Sequence, residues 1–335
     1  MHSRIWNLTG PRVFTEIAIE LPPLGADEVQ VAFQYCGLCG SDVSTYEDRR
    51  DRAFPVSLGH EFVAIIGACG SDVVDFRVGD VVTSDLNFRC GTCRQCVEKR
   101  SHLCEVSQKG AFSNRGFGTQ AHMHTNYLTK IPSGNVAPHY CLAEPLSCAL
   151  HAFNHVSPTA SDRILILGAG SLGTCMALIL IDLELPADLW DVNKSRRDAI
   201  AKLAPSIEAV EPKDECYDVV FDLTGSIEGL KRASVAVRRG GCLVTMSHLD
   251  GYGPTDFLLP ALTRRDVWFI VSYLNGEKKT LAEAVALIDR TWTCEFSNLL
   301  KLSPIEILPS VFSRRRHSSV NKDIFCLSDW QTGEN

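Results

Sequence analysis

The sequence has 335 residues, of which 45% are hydrophobic and 22% are charged, and its formal net charge is −7. This mild acidity argues against nucleic acid or an anionic membrane as the main partner. The length allows two domains, and neither a bilayer-spanning apolar run nor a signal-peptide core is apparent, so we expect a cytoplasmic protein. Its 14 cysteines are then expected to be reduced thiols rather than disulfides.

The first part of the chain is rich in strand patterns. Two alternating segments, 13–21 and 29–35, are separated by Pro-Pro-Leu-Gly and are predicted to be strands joined by a turn. Alternation resumes over 61–82, where glycines interrupt it, and strand-like sequence returns over 121–131. These segments predict a small β-barrel-like fold.

Four cysteines lie in one short loop: Cys90, Cys93, Cys96 and Cys104. Zinc favours four thiolates at tetrahedral corners, and two-residue gaps let a tight turn aim successive sulfurs at one point. A closed set of four leaves no open coordination position, so we predict a structural zinc. A nucleic-acid-reading zinc ribbon is a rival use of such a set, but the surrounding charge is mixed. Scattered cysteines such as Cys175 are expected to be small buried hydrophobic residues.

The character of the sequence changes after Pro138. An apolar pattern at helical spacing covers 147–156, and an alternation of strands and helices then continues to about residue 272. Such an alternation is typical of a parallel, doubly wound sheet. The elements predicted after Asp191 are helix 194–204, strands 207–210 and 217–223, helix 227–237, and strands 240–247 and 267–272. Beyond Tyr273 one helix, 281–289, is predicted, and the remaining tail is irregular.

The stretch 163–191 has the layout of a dinucleotide-binding unit: strand, glycine turn, helix, strand and acidic residue. Gly168 permits the tight turn, Gly170 lets the backbone approach a pyrophosphate, and Gly173 lets the helix pack closely on the strand. Free N–H groups at the helix N-terminus face the phosphates. The other candidate cofactor-binding residues are Ser171, Leu172, Arg196 and Thr224.

Asp191, at the end of the second strand of this unit, determines which cofactor is expected. An acid at this position accepts hydrogen bonds from the ribose 2′-OH of NAD and repels the 2′-phosphate of NADP. Three cationic residues follow closely and could instead bind that phosphate: Lys194, Arg196 and Arg197. We therefore predict a preference for NAD and keep NADP as the less favoured cofactor.

Five motifs together resemble the zinc-dependent medium-chain dehydrogenases, the family of alcohol, sorbitol and threonine dehydrogenases. The motifs are Cys-Gly-Leu-Cys-Gly-Ser-Asp at 36–42, Gly-His-Glu at 59–61, the cysteine loop, Ala-Glu-Pro-Leu at 143–146 and Gly-Ala-Gly-Ser-Leu-Gly at 168–173. The resemblance extends nearly over the whole chain. It implies an α/β protein in which a β-rich, GroES-like catalytic domain (1–150 with 273–335) is interrupted by a doubly wound Rossmann domain (151–272) that binds NAD.

The resemblance also implies a catalytic zinc, so that each chain would hold two zinc ions. Cys39 and His60 would be two of its ligands, and either Glu61 or Glu144 would be the third. Alcohol dehydrogenases proper have a cysteine where this chain has Glu144, which places it closer to the sorbitol and threonine dehydrogenases. With one coordination position open, zinc would lower the pKa of the substrate hydroxyl, and a hydride would pass from the substrate carbon to the nicotinamide.

Ser41 matches the hydroxyl that starts the proton relay in this family. Where many members have a histidine three residues later, this chain has Ser44. The next relay group could be Ser44, Tyr46, or the ribose 2′-hydroxyl of the cofactor with water. The same stretch is also similar to that of a sugar-modifying aminocyclitol dehydrogenase, as a narrower match.

The expected activity is NAD-linked oxidation of a secondary hydroxyl on a polyol, sugar, aminocyclitol or amino alcohol, or the reverse reaction. Rival hypotheses are an NADPH-dependent aldehyde or ketone reductase of the same family and a non-catalytic dinucleotide-binding sensor. Retention of the zinc ligands argues against the sensor. The substrate is expected in the cleft between the domains, and the resemblance suggests a homodimer or homotetramer joined through the nucleotide domain. Candidate cleft residues are Tyr46, Phe54, Phe112 and Phe117, although Phe117 could equally be a packed loop aromatic.

Overall fold

The computed structural model describes residues 2–106, 115–247, 258–314, 319–328 and 330. Phe112, one of the candidate cleft residues, lies outside these ranges. The strands are β1 (His2–Gly10), β2 (Val13–Glu20), β3 (Glu28–Gly37), β4 (Val56–Ser57), β5 (Glu61–Cys69), β6 (Val81–Ser84), β7 (Gln120–His124), β8 (Leu128–Lys130), β9 (Ile164–Leu167), β10 (Ala187–Trp190), β11 (Ile207–Ala209), β12 (Tyr217–Asp222), β13 (Val237–Thr245), β14 (Trp268–Val271), β15 (Leu300–Pro304) and β16 (Lys322–Cys326). The α-helices are α1 (Gly40–Tyr46), α2 (Arg94–Val97), α3 (Ala143–Asn154), α4 (Ser171–Asp182), α5 (Lys194–Ala201), α6 (Ile227–Ala236), α7 (Leu258–Thr263), α8 (Lys278–Thr291) and α9 (Leu308–Arg314).

A three-stranded antiparallel sheet has the order β2-β1-β4. Strand β1 is absent from the sequence prediction, in which the first strand is the segment 13–21. The segments 13–21 and 29–35 are strands, as predicted, but they do not pair with each other: β2 pairs with β1, and β3 belongs to another sheet. Arg12, with φ of 62°, adopts the left-handed conformation in the turn between β1 and β2.

A seven-stranded sheet contains the metal-ligand motifs. Strands β15, β16, β3, β5, β6 and β8 follow one another across it, and β7 pairs with the first half of β3. β16 is parallel to β15 and antiparallel to β3. The prediction of an irregular tail is therefore wrong: β15, α9 and β16 lie in it, and two of them complete this sheet.

The remaining sheet is six-stranded and entirely parallel, in the order β11-β10-β9-β12-β13-β14. Both of its faces are covered, since Ile164 and Ile166 of β9 pack into one hydrophobic cluster and Leu165 and Leu167 into another. This confirms the predicted doubly wound sheet. Among the described residues, no helix is long and apolar enough to cross a membrane.

Helix α3 connects the metal-ligand motifs with the parallel sheet. It packs against α4 and α8, and its start at Ala143 is four residues earlier than the predicted 147. Glu144 therefore lies in its first turn, inside the fold and 4% exposed.

Two of the candidate cleft residues lie in the core. Tyr46 stacks on Phe14, with ring centroids 5.6 Å apart, and also contacts Phe312. Phe117 is 1% exposed and packs edge-on against Phe312 and Phe325. Phe117 is thus a packed aromatic, the second of the two interpretations of its sequence position, and Tyr46 contributes to the same hydrophobic cluster.

Candidate metal centre and nucleotide site

Cys39, His60 and Glu61 form a compact group of potential metal ligands. One ligand atom from each residue lies within 4.8 Å of the others. The sheet causes this approach: Gly37, near the end of β3, pairs with Glu61, the first residue of β5. Cys39 follows directly at the N-terminus of α1, and His60 precedes β5. A thiolate, an imidazole and a carboxylate are the donors of a catalytic zinc site, so the residues present fit that metal.

Asp42 orients two members of this group. Its Oδ2 atom accepts a hydrogen bond of 3.2 Å from the backbone N–H of Cys39, and its Oδ1 atom lies 3.5 Å from Nδ1 of His60. Burial lowers the pKa of His60, but the charges of Asp42 and Cys39 outweigh it, so that the pKa lies well above its usual value. A carboxylate behind a metal-binding histidine fixes the ring and makes it a better ligand.

Glu144 lies beside this group but is not part of the 4.8 Å cluster found among the described residues. Burial raises the pKa of Glu144 to about 7, with His60 opposing the rise and Glu61 adding to it. The thiol of Cys148, one helical turn later, donates to Oε1 of Glu144 at 3.4 Å. Both carboxylates therefore face the same region, and Glu61 is nearer to the two other ligands.

A fully buried lysine supports Glu61. The Nζ atom of Lys322 donates to Oε2 of Glu61 and, at 3.3 Å, to the carbonyl oxygen of Leu38. Burial alone would lower the pKa of Lys322, but Glu61 and Cys39 raise it above its ordinary value, so the lysine is charged. Lys322 is not among the predicted site residues, because it lies in the tail for which no regular structure is predicted.

The two candidate relay residues, Ser41 and Ser44, lie on α1 next to Cys39. Both are partly exposed. The carbonyl oxygen of Ser41 accepts from Oγ1 of Thr45 at 3.0 Å, and that of Ser44 accepts from the N–H of Arg49 at 2.9 Å. Their backbones are therefore held, and a relay through their hydroxyls stays a prediction.

The four loop cysteines converge as a second group of potential ligands. The Sγ atoms of Cys90 and Cys96 are 3.9 Å apart, and those of Cys93 and Cys104 are 4.0 Å apart. A tetrahedron with Zn–S bonds of about 2.3 Å has edges of about 3.8 Å, so zinc fits this group. The N–H of Cys93 and the groups of Thr92 lower the pKa of the Cys90 thiol to about 6. Gly91, with φ of 74°, makes the tight turn between the first two ligands.

A buried polar network anchors this loop to the segment before α8. The guanidinium of Arg89 donates to Asp85, to Oγ of Ser101 at 3.0 Å, to Oδ1 of Asn275 at 3.3 Å and to the carbonyl oxygen of Gly276 at 3.2 Å. A further bond of 3.1 Å connects Nδ2 of Asn275 with Asp85. The loop is thus attached through hydrogen bonds of charged and amide groups.

The glycine turn has the geometry that its sequence predicts. Gly168 has φ of 99°, and a Cβ atom there would lie 2.9 Å from backbone atoms of Leu223. A Cβ on Gly173 would lie 1.8 Å from the carbonyl oxygen of Gly168, whereas a Cβ on Gly170 would meet nothing within 4 Å. Helix α4 starts directly afterwards at Ser171, followed by Leu172. The open space over Gly170 and the free helix N-terminus fit a pyrophosphate.

Asp191, directly after the neighbouring strand β10, holds the glycine turn by hydrogen bonds. Its Oδ2 atom accepts from the N–H of Ala169 at 2.7 Å, and its Oδ1 atom accepts from the N–H of Asn193 at 2.7 Å. The guanidinium of Arg197 lies 4.0 Å from the ring centroid of Trp190 and donates to the carbonyl oxygen of Asp191 at 2.6 Å. This cation therefore has a structural role in addition to any role with a ligand.

The other two predicted contact residues lie along the same edge. Thr224 follows β12, the neighbour of β9, and its Oγ1 atom donates to Oδ1 of Asp222 at 2.7 Å. Arg196 is in the first turn of α5, where its N–H lies 3.4 Å from the capping Oδ1 of Asn193. The carboxyl ends of β9, β10 and β12 thus bring together residues that are more than 50 positions apart, at the edge where such sheets bind nucleotides.

Comparison with known proteins finds a matching domain family, related sequences and similar solved structures. The alcohol dehydrogenase GroES-like domain matches residues 25–133. Sorbitol dehydrogenase of Bacillus subtilis is 31% identical over 79% of this chain and 81% of that enzyme, and sorbitol dehydrogenase of Halalkalibacterium halodurans is 33% identical over 66% and 69%. The structure of galactitol-1-phosphate dehydrogenase from Escherichia coli superposes with a TM-score of 0.83 over 96% of this chain and 99% of that one, at 19% identity.

Proposed function

The chain belongs to the zinc-dependent medium-chain dehydrogenase/reductase family and is a zinc-type alcohol dehydrogenase, and we propose that it uses NAD to act on a secondary alcohol. It transfers a hydride between NAD and a secondary hydroxyl of a polyol, sugar, aminocyclitol or amino alcohol. The observation that carries the proposal is the group of Cys39, His60 and Glu61, with Asp42 behind it. Curated relatives that act on polyols and sugar alcohols support the substrate class.

Cys39, His60 and Glu61 would hold the catalytic zinc, with Glu144 close by. Zinc in such a site supplies a Lewis acid that lowers the pKa of a bound hydroxyl. The chain's own residues fix this geometry, since Asp42 orients His60 and Lys322 holds the carboxylate of Glu61. The four loop cysteines would hold the structural zinc, so we propose two zinc ions per chain.

Asp191 supports NAD as the cofactor. Each of its oxygens holds one backbone N–H, and a carboxylate has further lone pairs for the hydroxyls of a ribose. The negative charge would also repel a 2′-phosphate, while Arg197 is engaged with Trp190 and with the carbonyl oxygen of Asp191. We also propose that Ser41 starts the proton relay from the substrate, with Ser44, Tyr46, or the ribose 2′-hydroxyl of the cofactor and water as the next group.

The sheets support the proposed division of the chain into 1–150 with 273–335 and 151–272. Strands β15 and β16 join the seven-stranded sheet, whereas β9 to β14 form the parallel sheet. We also propose a cytoplasmic location, because none of the 14 cysteines is in a disulfide.

We propose that a second copy of this chain pairs with β14. This strand is at the edge of the parallel sheet, and Trp268 and Val271 are 69% and 64% exposed. An exposed apolar edge strand is a template for pairing with another strand, and self-pairing gives a symmetric dimer. Sedimentation velocity at micromolar concentration tests it: a dimer or tetramer is expected, and a monomer would contradict the proposal.

The test of the activity is steady-state kinetics with a panel of polyols, amino alcohols and aminocyclitols, with NAD and with NADP. We expect a higher kcat/KM with NAD. Cys39→Ser should abolish turnover, because a hydroxyl is a poor zinc ligand, while NADH should still bind, as followed by its fluorescence. Near-normal turnover of Cys39→Ser would exclude a catalytic zinc at this site. A kcat/KM with NADP equal to or higher than that with NAD would contradict the NAD preference and favour the reductase alternative.

A further inference from the structure

We propose that residues 321–323 are a connector between the two sites, in which Asn321 positions the glycine turn relative to the metal ligands. The inference rests on the proposed function, because it assumes a metal at one end and a nucleotide at the other. The observations behind it are hydrogen bonds from consecutive residues to both sites.

The nucleotide end of the connector is the side chain of Asn321, which is 2% exposed. Its Nδ2 atom donates to the carbonyl oxygen of Ala169 at 2.7 Å and to that of Arg196 at 3.2 Å. Ala169 lies between Gly168 and Gly170, and its N–H donates to Asp191. The residue at the centre of the glycine turn is therefore held on one side by the proposed ribose ligand and on the other by Asn321.

The metal end is formed by the next two residues. Lys322, which is 0% exposed, donates to Glu61 and to the carbonyl oxygen of Leu38, and the carbonyl oxygen of Asp323 accepts from the N–H of Leu38 at 3.0 Å. Leu38 immediately precedes Cys39. Both polar backbone groups of Leu38 are thus bound by the connector, as is the carboxylate of a neighbouring metal ligand.

The short span of the connector makes mechanical coupling effective. Asn321 and Lys322 are adjacent, and β16 begins at Lys322, where hydrogen bonds to β3 and β15 restrict the backbone. A metal that fixes Cys39 and Glu61 also fixes the positions of Lys322 and Asp323, and hence of Asn321. Nucleotide binding to a turn that is already ordered loses less conformational entropy, which gives positive cooperativity.

ADP is the probe for this coupling, because it contains the adenosine ribose and pyrophosphate and lacks the nicotinamide that would approach the metal. Its affinity is measured calorimetrically for the protein loaded with Zn²⁺ and for protein whose catalytic metal has been removed by a chelator, with metal content determined. We expect ADP to bind about fivefold more tightly to the zinc-loaded protein. This factor is at the lower end of the range that is typical of coupled binding sites. Coupling is reciprocal, so ADP should raise the affinity for Co²⁺, followed by its visible absorption, by the same factor.

Asn321→Leu removes the donor at nearly constant volume and should reduce this factor to about one, while ADP and Co²⁺ each still bind. Every charge is unchanged in this variant, so a simple attraction between metal and ADP would survive in it. Asn126→Leu is the control: Nδ2 of Asn126 also donates to a backbone carbonyl, that of Arg89 at 3.1 Å, which belongs to the cysteine loop and neither to the catalytic metal ligands nor to the glycine turn. The ratio of ADP affinities with and without the metal should be the same in Asn126→Leu as in the wild type.

Asn321→Ser, which keeps a shorter donor, should retain part of the coupling and guards against misfolding of the leucine variant. A wild-type factor of one, or an undiminished factor in Asn321→Leu, would overturn the connector. If the wild type failed to bind ADP or Co²⁺ at all, the proposed function itself would fail, which is a different result from two binding sites without coupling.

Discussion

Replacing Arg89 by methionine tests the network that anchors the cysteine loop. Arg89 and Asp85 are 9% and 2% exposed, so methionine would leave the carboxylate of Asp85 buried without its cation. Removing one partner of a buried pair costs about 3–5 kcal/mol. If 1 kcal/mol shifts the midpoint by about 2 °C in a protein of this size, the expected decrease in Tm is about 6–10 °C.

Arg94→Met is the matched control for this measurement. Arg94 forms an ion pair with Glu98 in the same loop, but its side chain is 76% exposed. Such a pair contributes about 1 kcal/mol or less, so Tm should change by no more than about 2 °C. Both variants are compared by thermal unfolding of the zinc-loaded protein, with zinc release followed by a chelating dye. Equal midpoints for Arg89→Met and Arg94→Met would refute the reasoning.

Two further predictions concern the glycine turn and the response to acid. Gly170→Ala should keep the wild-type Tm but weaken NADH binding about tenfold, or about 1.4 kcal/mol, because its Cβ occupies the open space of the turn. Gly173→Ala should instead lose about 1–3 kcal/mol of stability, because its Cβ meets the carbonyl oxygen of Gly168. The reverse ranking in thermal unfolding and fluorescence titration would contradict this assignment. Burial, with the charges of His102 and His155, lowers the pKa of His151 to about 4, against the favourable charge of Glu277. The unfolded state, with a pKa of about 6.5, then binds more protons between these values, so stability is complete above pH 6.5 and falls toward pH 4. His151→Gln should reduce the loss of stability on acidification by about 1 kcal/mol, a value already lowered because the side chain is partly exposed to solvent. If the difference in Tm between pH 7 and pH 5 were the same in the variant and in the wild type, this prediction would be wrong.

Local patterns made the glycine turn and the cysteine loop predictable. Each consists of residues within a short stretch whose spacing alone constrains the chemistry, and the positive φ of Gly168 and the convergence of the four sulfurs agree with it. The parallel sheet was also predictable, because strand patterns alternate with helical patterns along this part of the chain and its central strand β9 is a continuous apolar run that is buried on both faces.

The parts that escaped prediction have polar residues at inward positions. In β1 the buried residues include Ser3 and Asn7, and the hydroxyl of Ser3 donates to the carbonyl oxygen of Gln120 at 2.6 Å. Strand β16 likewise begins with two buried charged residues, Lys322 and Asp323. Such strands lack the apolar alternation by which strands are recognised, and their partners are distant in sequence. The pairing of Lys322 with Glu61 could not be inferred for the same reason.

The position of β16 beside β3 has a consequence for synthesis of the chain. β3 ends at Gly37 and β16 begins at Lys322, so all six strands of the parallel sheet are translated between the two neighbours. At about 5–20 residues per second, this part of the β3 edge waits roughly 15–60 s for its partner. An open strand edge invites association with other chains during that interval. We therefore expect the soluble yield to depend on translation speed and on chaperones that shield nascent chains.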